Sequence, residues 1–99
     1  MAKRTYYGSI QAGEDKDFGF NWAAELTASG SDTISSSTWV VSPASAGLTL
    51  DQKTNSTTAT ACYVTESGAT VGAVFELENT ITTAAGRVMI ADWRLTVVD

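Results

Sequence analysis

Between Val71 and Ile81 the chain alternates without interruption, with Val71, Ala73, Phe75, Leu77, Asn79 and Ile81 on one parity and Gly72, Val74, Glu76, Glu78 and Thr80 on the other. A period of two with one apolar set marks a β-strand that buries a single face, because successive side chains of a strand point to opposite sides. The run ends in a turn, Thr82-Thr83-Ala84-Ala85-Gly86-Arg87. A second alternating segment follows from Arg87 to Val98, with Met89, Ala91, Trp93, Leu95 and Val97 on one parity. The two segments predict a long β-hairpin.

Phe18, Phe20 and Trp22 also share a parity that continues to Ala24 and Leu26, which predicts a first strand whose aromatics are major contributors to the core. After the turn Ala28-Ser29-Gly30-Ser31-Asp32, the segment from Thr33 to Val41 is rich in β-branched residues. Its apolar residues fall on both parities, with Ile34 and Val40 on one and Trp39 and Val41 on the other, so both faces are expected to be partly covered. Pro43 cannot donate to a sheet ladder and ends that strand in a loop reaching Gly47. Leu48-Thr49-Leu50 reads as a short strand, Asp51 to Ser56 as a turn, and Thr57 to Thr65 as a further strand before the turn Glu66-Ser67-Gly68.

Six or seven short strands at this spacing predict an all-β fold, a single immunoglobulin-like β-sandwich. A chain of 99 residues supplies one core and not two. The sandwich is placed at residues 17–99. Residues 1–16 contain Gly8, Gly13 and most of the mixed-charge run Glu14-Asp15-Lys16-Asp17, and are expected to form a flexible N-terminal arm.

Composition excludes several kinds of chemistry. The chain has no histidine, which removes histidine triads, the usual zinc sites and imidazole acid–base catalysis. Glu76 and Glu78 lie on the parity opposite Phe75 and Leu77, so they are expected in solvent rather than at an acid–base centre. Ser35-Ser36-Ser37 has no base to activate a nucleophile, and no loop carries the dense Asp, Asn and Gly spacing of a calcium site. The single cysteine, Cys62, cannot close an internal disulfide and reads as a small buried hydrophobe. Asn55-Ser56-Thr57 meets the glycosylation pattern only formally. These features argue against an enzyme.

Six basic against eleven acidic residues give a net charge of −5. Without clustered Lys and Arg no nucleic-acid partner is expected. No apolar run approaches the ~20 residues that cross a bilayer, so no membrane partner is expected either. The stretch Met1 to Tyr7 lacks the apolar core of a signal peptide, which predicts a protein that stays in the cytoplasm where it is made. Candidate interface residues are Arg4, Tyr6 and Tyr7 on the arm and Arg87 at the hairpin turn. Tyrosine offers a large rigid ring with a polar tip, and a guanidinium pairs with a partner's carboxylate.

An ordered series of segments carries a resemblance: Phe20-Asn21-Trp22, Asp32-Thr33-Ile34, Ser37-Thr38-Trp39-Val40-Val41, Gly47-Leu48-Thr49 and the stretch from Asn79 to Arg87. From Asp17 to Asp99 the chain resembles a family of small tailed-bacteriophage virion proteins, the fibre-tail adaptors. The resemblance implies a structural role at the junction of tail and tail fibres, without a cofactor. It also implies a location in the virion, with other tail, fibre or capsid subunits as partners. Many copies in a symmetric assembly would make weak individual contacts sufficient. A capsid decoration protein on the head lattice is the alternative, and a binding module of a bacterial surface protein a third reading. Two places depart from the family pattern. Glu66-Ser67-Gly68 stands where a Gly-Gly turn is usual, and Val88-Met89-Ile90-Ala91 replaces a charged run. That apolar run is expected either in the protein's own core or under a neighbouring subunit.

Overall fold

The computed structural model describes residues 4–42 and 47–99. Its seven strands are β1 (Arg4–Gln11), β2 (Asp15–Asn21), β3 (Ile34–Ser42), β4 (Leu48–Asn55), β5 (Ala59–Glu66), β6 (Val74–Thr83) and β7 (Val88–Val98), with one short helix, α1 (Ala23–Ala28). They form two sheets, a four-stranded one in the order β1-β7-β6-β3 and a three-stranded one in the order β2-β5-β4. The expected loop residues Pro43 to Ala46, and Met1 to Lys3 of the expected arm, lie outside the described residues.

The hairpin forms as its periodicity predicts. β6 and β7 pair antiparallel from Val74↔Thr96 to Thr82↔Val88. Phe75, Leu77 and Ile81 of β6, with Met89, Ala91, Leu95 and Val97 of β7, enter one core with Phe18, Phe20, Trp22, Cys62 and Val64 from the facing side. β3 joins β6 antiparallel, with a bulge between Ile34 and Ser36. The extra residue moves inward-facing positions from even to odd numbers, so Ile34 and Trp39 are both buried. The mixed parity read in this segment is therefore one buried face interrupted by a bulge.

Three differences from expectation have local causes. The flexible arm is not what the described residues show. β1 pairs parallel with β7 from Arg4↔Ala91 to Gln11↔Val98, and Ile10 is fully buried beside Val97. The alternation of β1 escapes notice because its inward position 8 is a glycine. A Cβ there would lie 3.2 Å from the Trp93 ring, so the indole of β7 fills the space. The first strand stops at Asn21, and Ala24 and Leu26 belong to α1. A spacing of four satisfies both a strand's period and a helical turn, and Trp22 and Leu26 are each buried. The helix-forming run Ala-Ala-Glu-Leu decides for the helix, with the Asn21 side chain accepting the Ala23 N–H at 3.0 Å. Finally, β4 continues to Asn55 through a register shift between Asp51 and Thr54, where Gln52 takes a left-handed φ of 45°. The turn falls at Ser56 instead, whose Oγ accepts the N–H groups of Thr58 and Ala59.

Polar atoms in the interior are tied across the sandwich. Trp22 Nε1 donates to Thr60 Oγ1 and Asn79 Oδ1, each at 3.2 Å, and Thr60 Oγ1 donates to Asn79 Oδ1 at 2.6 Å. Asn79 Nδ2 then donates to Ser37 Oγ and the Thr38 carbonyl. One amide thus joins both sheets and the segment leading into α1. At the far end, buried Glu66 accepts the backbone N–H groups of Gly13 and Ala69 and ties the β1–β2 turn to the loop before β6.

Candidate functional site

Since odd-numbered residues of β7 point into the core, the even ones form an outer face with the even residues of β6 and β3 and the odd residues of β1. Across this face the register aligns Tyr7, Arg94, Glu76 and Ser42 in one row, and Thr5, Asp92, Glu78 and Val40 in the next. Ile90, Thr80 and Thr38 form a third row, with Val88 and Thr82 beyond it. Tyr7, Val40, Val74 and Val88 are each more than half exposed, and Ile90 is 40% exposed. These five are the larger part of the exposed bulky apolar side chains among the described residues. The outer face of the three-stranded sheet contributes none of them.

A charged belt crosses the middle of the face. Arg94 Nη2 lies 3.4 Å from Glu76 Oε2, and its Nε lies 3.6 Å from Asp92 Oδ2. Asp92 is shut off from solvent and its Oδ1 accepts the Thr5 hydroxyl at 2.6 Å. Below the belt, the described cross-strand neighbours of Val88 and Ile90 in these rows are Thr38, Thr80 and Thr82, with Arg87 next to Val88 at the turn. The apolar run singled out in the sequence is therefore divided by strand parity. Met89 and Ala91 enter the protein's own core, while Val88 and Ile90 face outward.

The structure separates the residues first considered as a site. Tyr7 stands on the outer face, 78% exposed. Tyr6, one residue away, turns to the other side and packs edge-on against Trp93 with ring centroids 5.2 Å apart. Arg4 lies on the same inward parity. Its guanidinium sits 5.1, 5.5 and 4.9 Å from the rings of Tyr6, Phe20 and Trp22 and pairs with Glu25 of α1. Arg87 lies at the hairpin turn, donating through Nη1 to the Ser29 carbonyl at 3.2 Å. Arg4 and Tyr6 thus border the face along the β1 edge, and Arg87 borders it at the turn. Val40 and Val74 were not among the sequence candidates. The signal for them was present, because each lies on the parity opposite a buried neighbour.

Other groups with chemical potential are placed as structure. Burial pushes the Cys62 thiol up to about 12, so it stays protonated at neutral pH. Glu76 and Glu78 lie on the outer face, as their parity predicted. Ser37 accepts from Asn79, and Ser35 and Ser36 are exposed. No group of three or more Cys, Asp or Glu positioned to hold a metal occurs among the described residues.

Comparison with known proteins adds the following. A family model described as podophage GP4 fiber-tail adaptor protein gp77 matches residues 11–96. Among solved structures, the fold is similar to part of a Photobacterium sp. JT-ISH-224 2,6-sialyltransferase, solved in a ternary complex with the donor product CMP and the acceptor substrate lactose. The TM-score is 0.68 at 15% identity, covering 97% of this chain and 18% of that one. At that identity the likeness is one of fold alone. No curated protein matches the chain.

Proposed function

The chain belongs to the podophage fibre-tail adaptor family, and from that premise we propose that it is a non-enzymatic structural part of the virion, seated between tail and tail fibres. The family match over residues 11–96 carries this reading. We read the architecture as immunoglobulin-like. The neighbours β3-β6-β7 and β4-β5-β2 correspond to the C-F-G and D-E-B strands of that fold, with β1 alongside β7. Such a rigid scaffold suits a protein whose work is to present one surface to a second protein.

In this reading several copies act together in a symmetric assembly, each contributing a modest contact. Tyr7 lies within the contact, and Arg4, Tyr6 and Arg87 stand on its rim. A cryo-EM reconstruction of the intact particle tests the assignment. Density for this sandwich between tail and fibre is the expected result. Density distributed over the head lattice would make it a decoration protein and overturn the adaptor reading.

A further inference from the structure

We propose that β1 is an exchangeable strand: in the assembly it leaves its own domain and fills the same slot, along the edge of β7, in a second copy of this chain. The proposal rests on the adaptor reading only for setting copies side by side. The exchange itself is argued from how β1 is held and how it is joined to the rest of the chain.

β1 is held as a ligand would be. Its strand partner among the described residues is β7 alone, with which it pairs in parallel, and its even-numbered positions meet a row of separate receptors. Arg4 pairs with Glu25 and lies over the Phe20 and Trp22 rings, and Tyr6 packs on Phe20 at 5.7 Å and on Trp93. Position 8 is a glycine under the Trp93 ring, and Ile10 is sunk in the core. Reading alternate side chains in pockets while the backbone extends a sheet is how a sheet edge accepts an added strand. The family match starts at residue 11, so it takes in the slot but not Arg4 to Ile10, which fill it. The receptors then select the occupant. A donor must offer a cation, an aromatic ring, a bare backbone and an aliphatic residue at every second position of an extended strand, and β1 of a second copy offers all four.

The link from β1 to the rest of the domain is one that can open. β1 and β2 belong to different sheets, and only Ala12, Gly13 and Glu14 connect them. Ala12 and Gly13 are exposed, and Gly13 turns the chain with a φ of 82°. Within the turn the Glu14 N–H donates to the Gln11 carbonyl and the Gln11 N–H to Glu14 Oε1, each at 2.9 Å, while the Gly13 N–H donates to Glu66. Exchange gives up these three bonds, whereas the β1–β7 ladder, the Arg4–Glu25 pair and the burial of Ile10 are rebuilt unchanged between chains. β1 precedes every other described element, so it withdraws without threading. Extended, the three linking residues span ~10 Å, enough to cross to an adjoining copy. Neighbours fixed in a symmetric assembly supply the high local concentration that moves the balance from the closed monomer to the exchanged form.

The test uses the full-length chain carrying Ser9→Cys and Thr96→Cys. These positions are register partners on the outer face, the ~4.8 Å between neighbouring strands suits a disulfide, and Cys62 is buried. Oxidised with diamide as dilute purified protein, the pair should close within one chain and run at monomer mass on a non-reducing gel. Oxidised in phage particles, it should close between chains, doubling the mass or more, with the linkage between positions 9 and 96 identified by mass spectrometry. Particles in which the pair closes only within chains overturn the exchange. Dimers linked 9 to 9 or 96 to 96 mark adjacent copies that keep their own strands, and overturn it too. If circular dichroism shows the double variant to be unfolded, Gln11→Cys with Val98→Cys replaces it. Gly13→Pro gives a measurement outside the particle. Proline cannot adopt the φ of 82° at this position, so the turn opens and the purified variant should sediment at twice the chain mass, whereas a folded monomer overturns the proposal. Density over the head lattice would overturn the adaptor reading and leave both exchange tests standing.

Discussion

Asn79 stands on the inward parity of β6 beside Leu77 and Ile81, where an amide is costly unless its polar atoms are bonded. The indole of Trp22, the hydroxyls of Thr60 and Ser37 and the Thr38 carbonyl supply those bonds. Asn79→Ala removes the acceptor of two donors and leaves a cavity, so it should cost about 1–3 kcal/mol through unsatisfied groups. For a domain this size that is a fall in midpoint of ~4–8 °C per kcal/mol, measured by thermal melting. Alternation in the sequence placed Asn79 inside but gave no hint of its partners, which come from two other strands, β3 and β5, and the approach to α1. Tyr6 and Tyr7 illustrate the same boundary. Once β1 is known as a strand they must diverge, but β1 was hidden because its inward position 8 is a glycine filled by Trp93.

At the scale of elements, the hairpin turn is fastened to the loop that follows α1. Asp32 Oδ1 accepts the N–H groups of Thr33 and Ala85, and Arg87 donates to the Ser29 carbonyl. The Thr83 side chain acts first, assisted by those N–H groups and Arg87 against an opposing desolvation, and the Asp32 carboxyl is held below its ordinary 3.8. A lowered folded value means that the ionised form stabilises the fold above the ordinary value, and that this contribution fades as pH falls through the folded one. The midpoint difference between wild type and Asp32→Asn should therefore be constant near neutrality and shrink below pH 3.8, in melts at a series of pH values. The hairpin itself was legible because its apolar set is unbroken. α1 and the end of β4 were not, since Trp22 and Leu26 fit two periods at once and a left-handed Gln52 breaks the pairing without a glycine to signal it.

At the scale of the whole molecule, the first strand completes the core. Removing Met1 to Gly13 exposes the edge of β7, empties the place of Ile10 and strips Tyr6 from Trp93. Loss of the buried isoleucine alone is worth ~1.5–3 kcal/mol, so the truncated protein should melt at least about 6 °C lower. An unchanged midpoint would return this segment to the status of a dispensable arm. The same parallel pairing fixes how the molecule bears tension. Arg4 lies beside Ala91 and Gln11 beside Val98, so residues 4 and 98 sit at opposite ends of the β1–β7 ladder, ~23 Å apart along it. A pull between those two points runs along the strands and loads the ladder's hydrogen bonds together in shear instead of peeling them one at a time, the stronger arrangement for a link under mechanical strain.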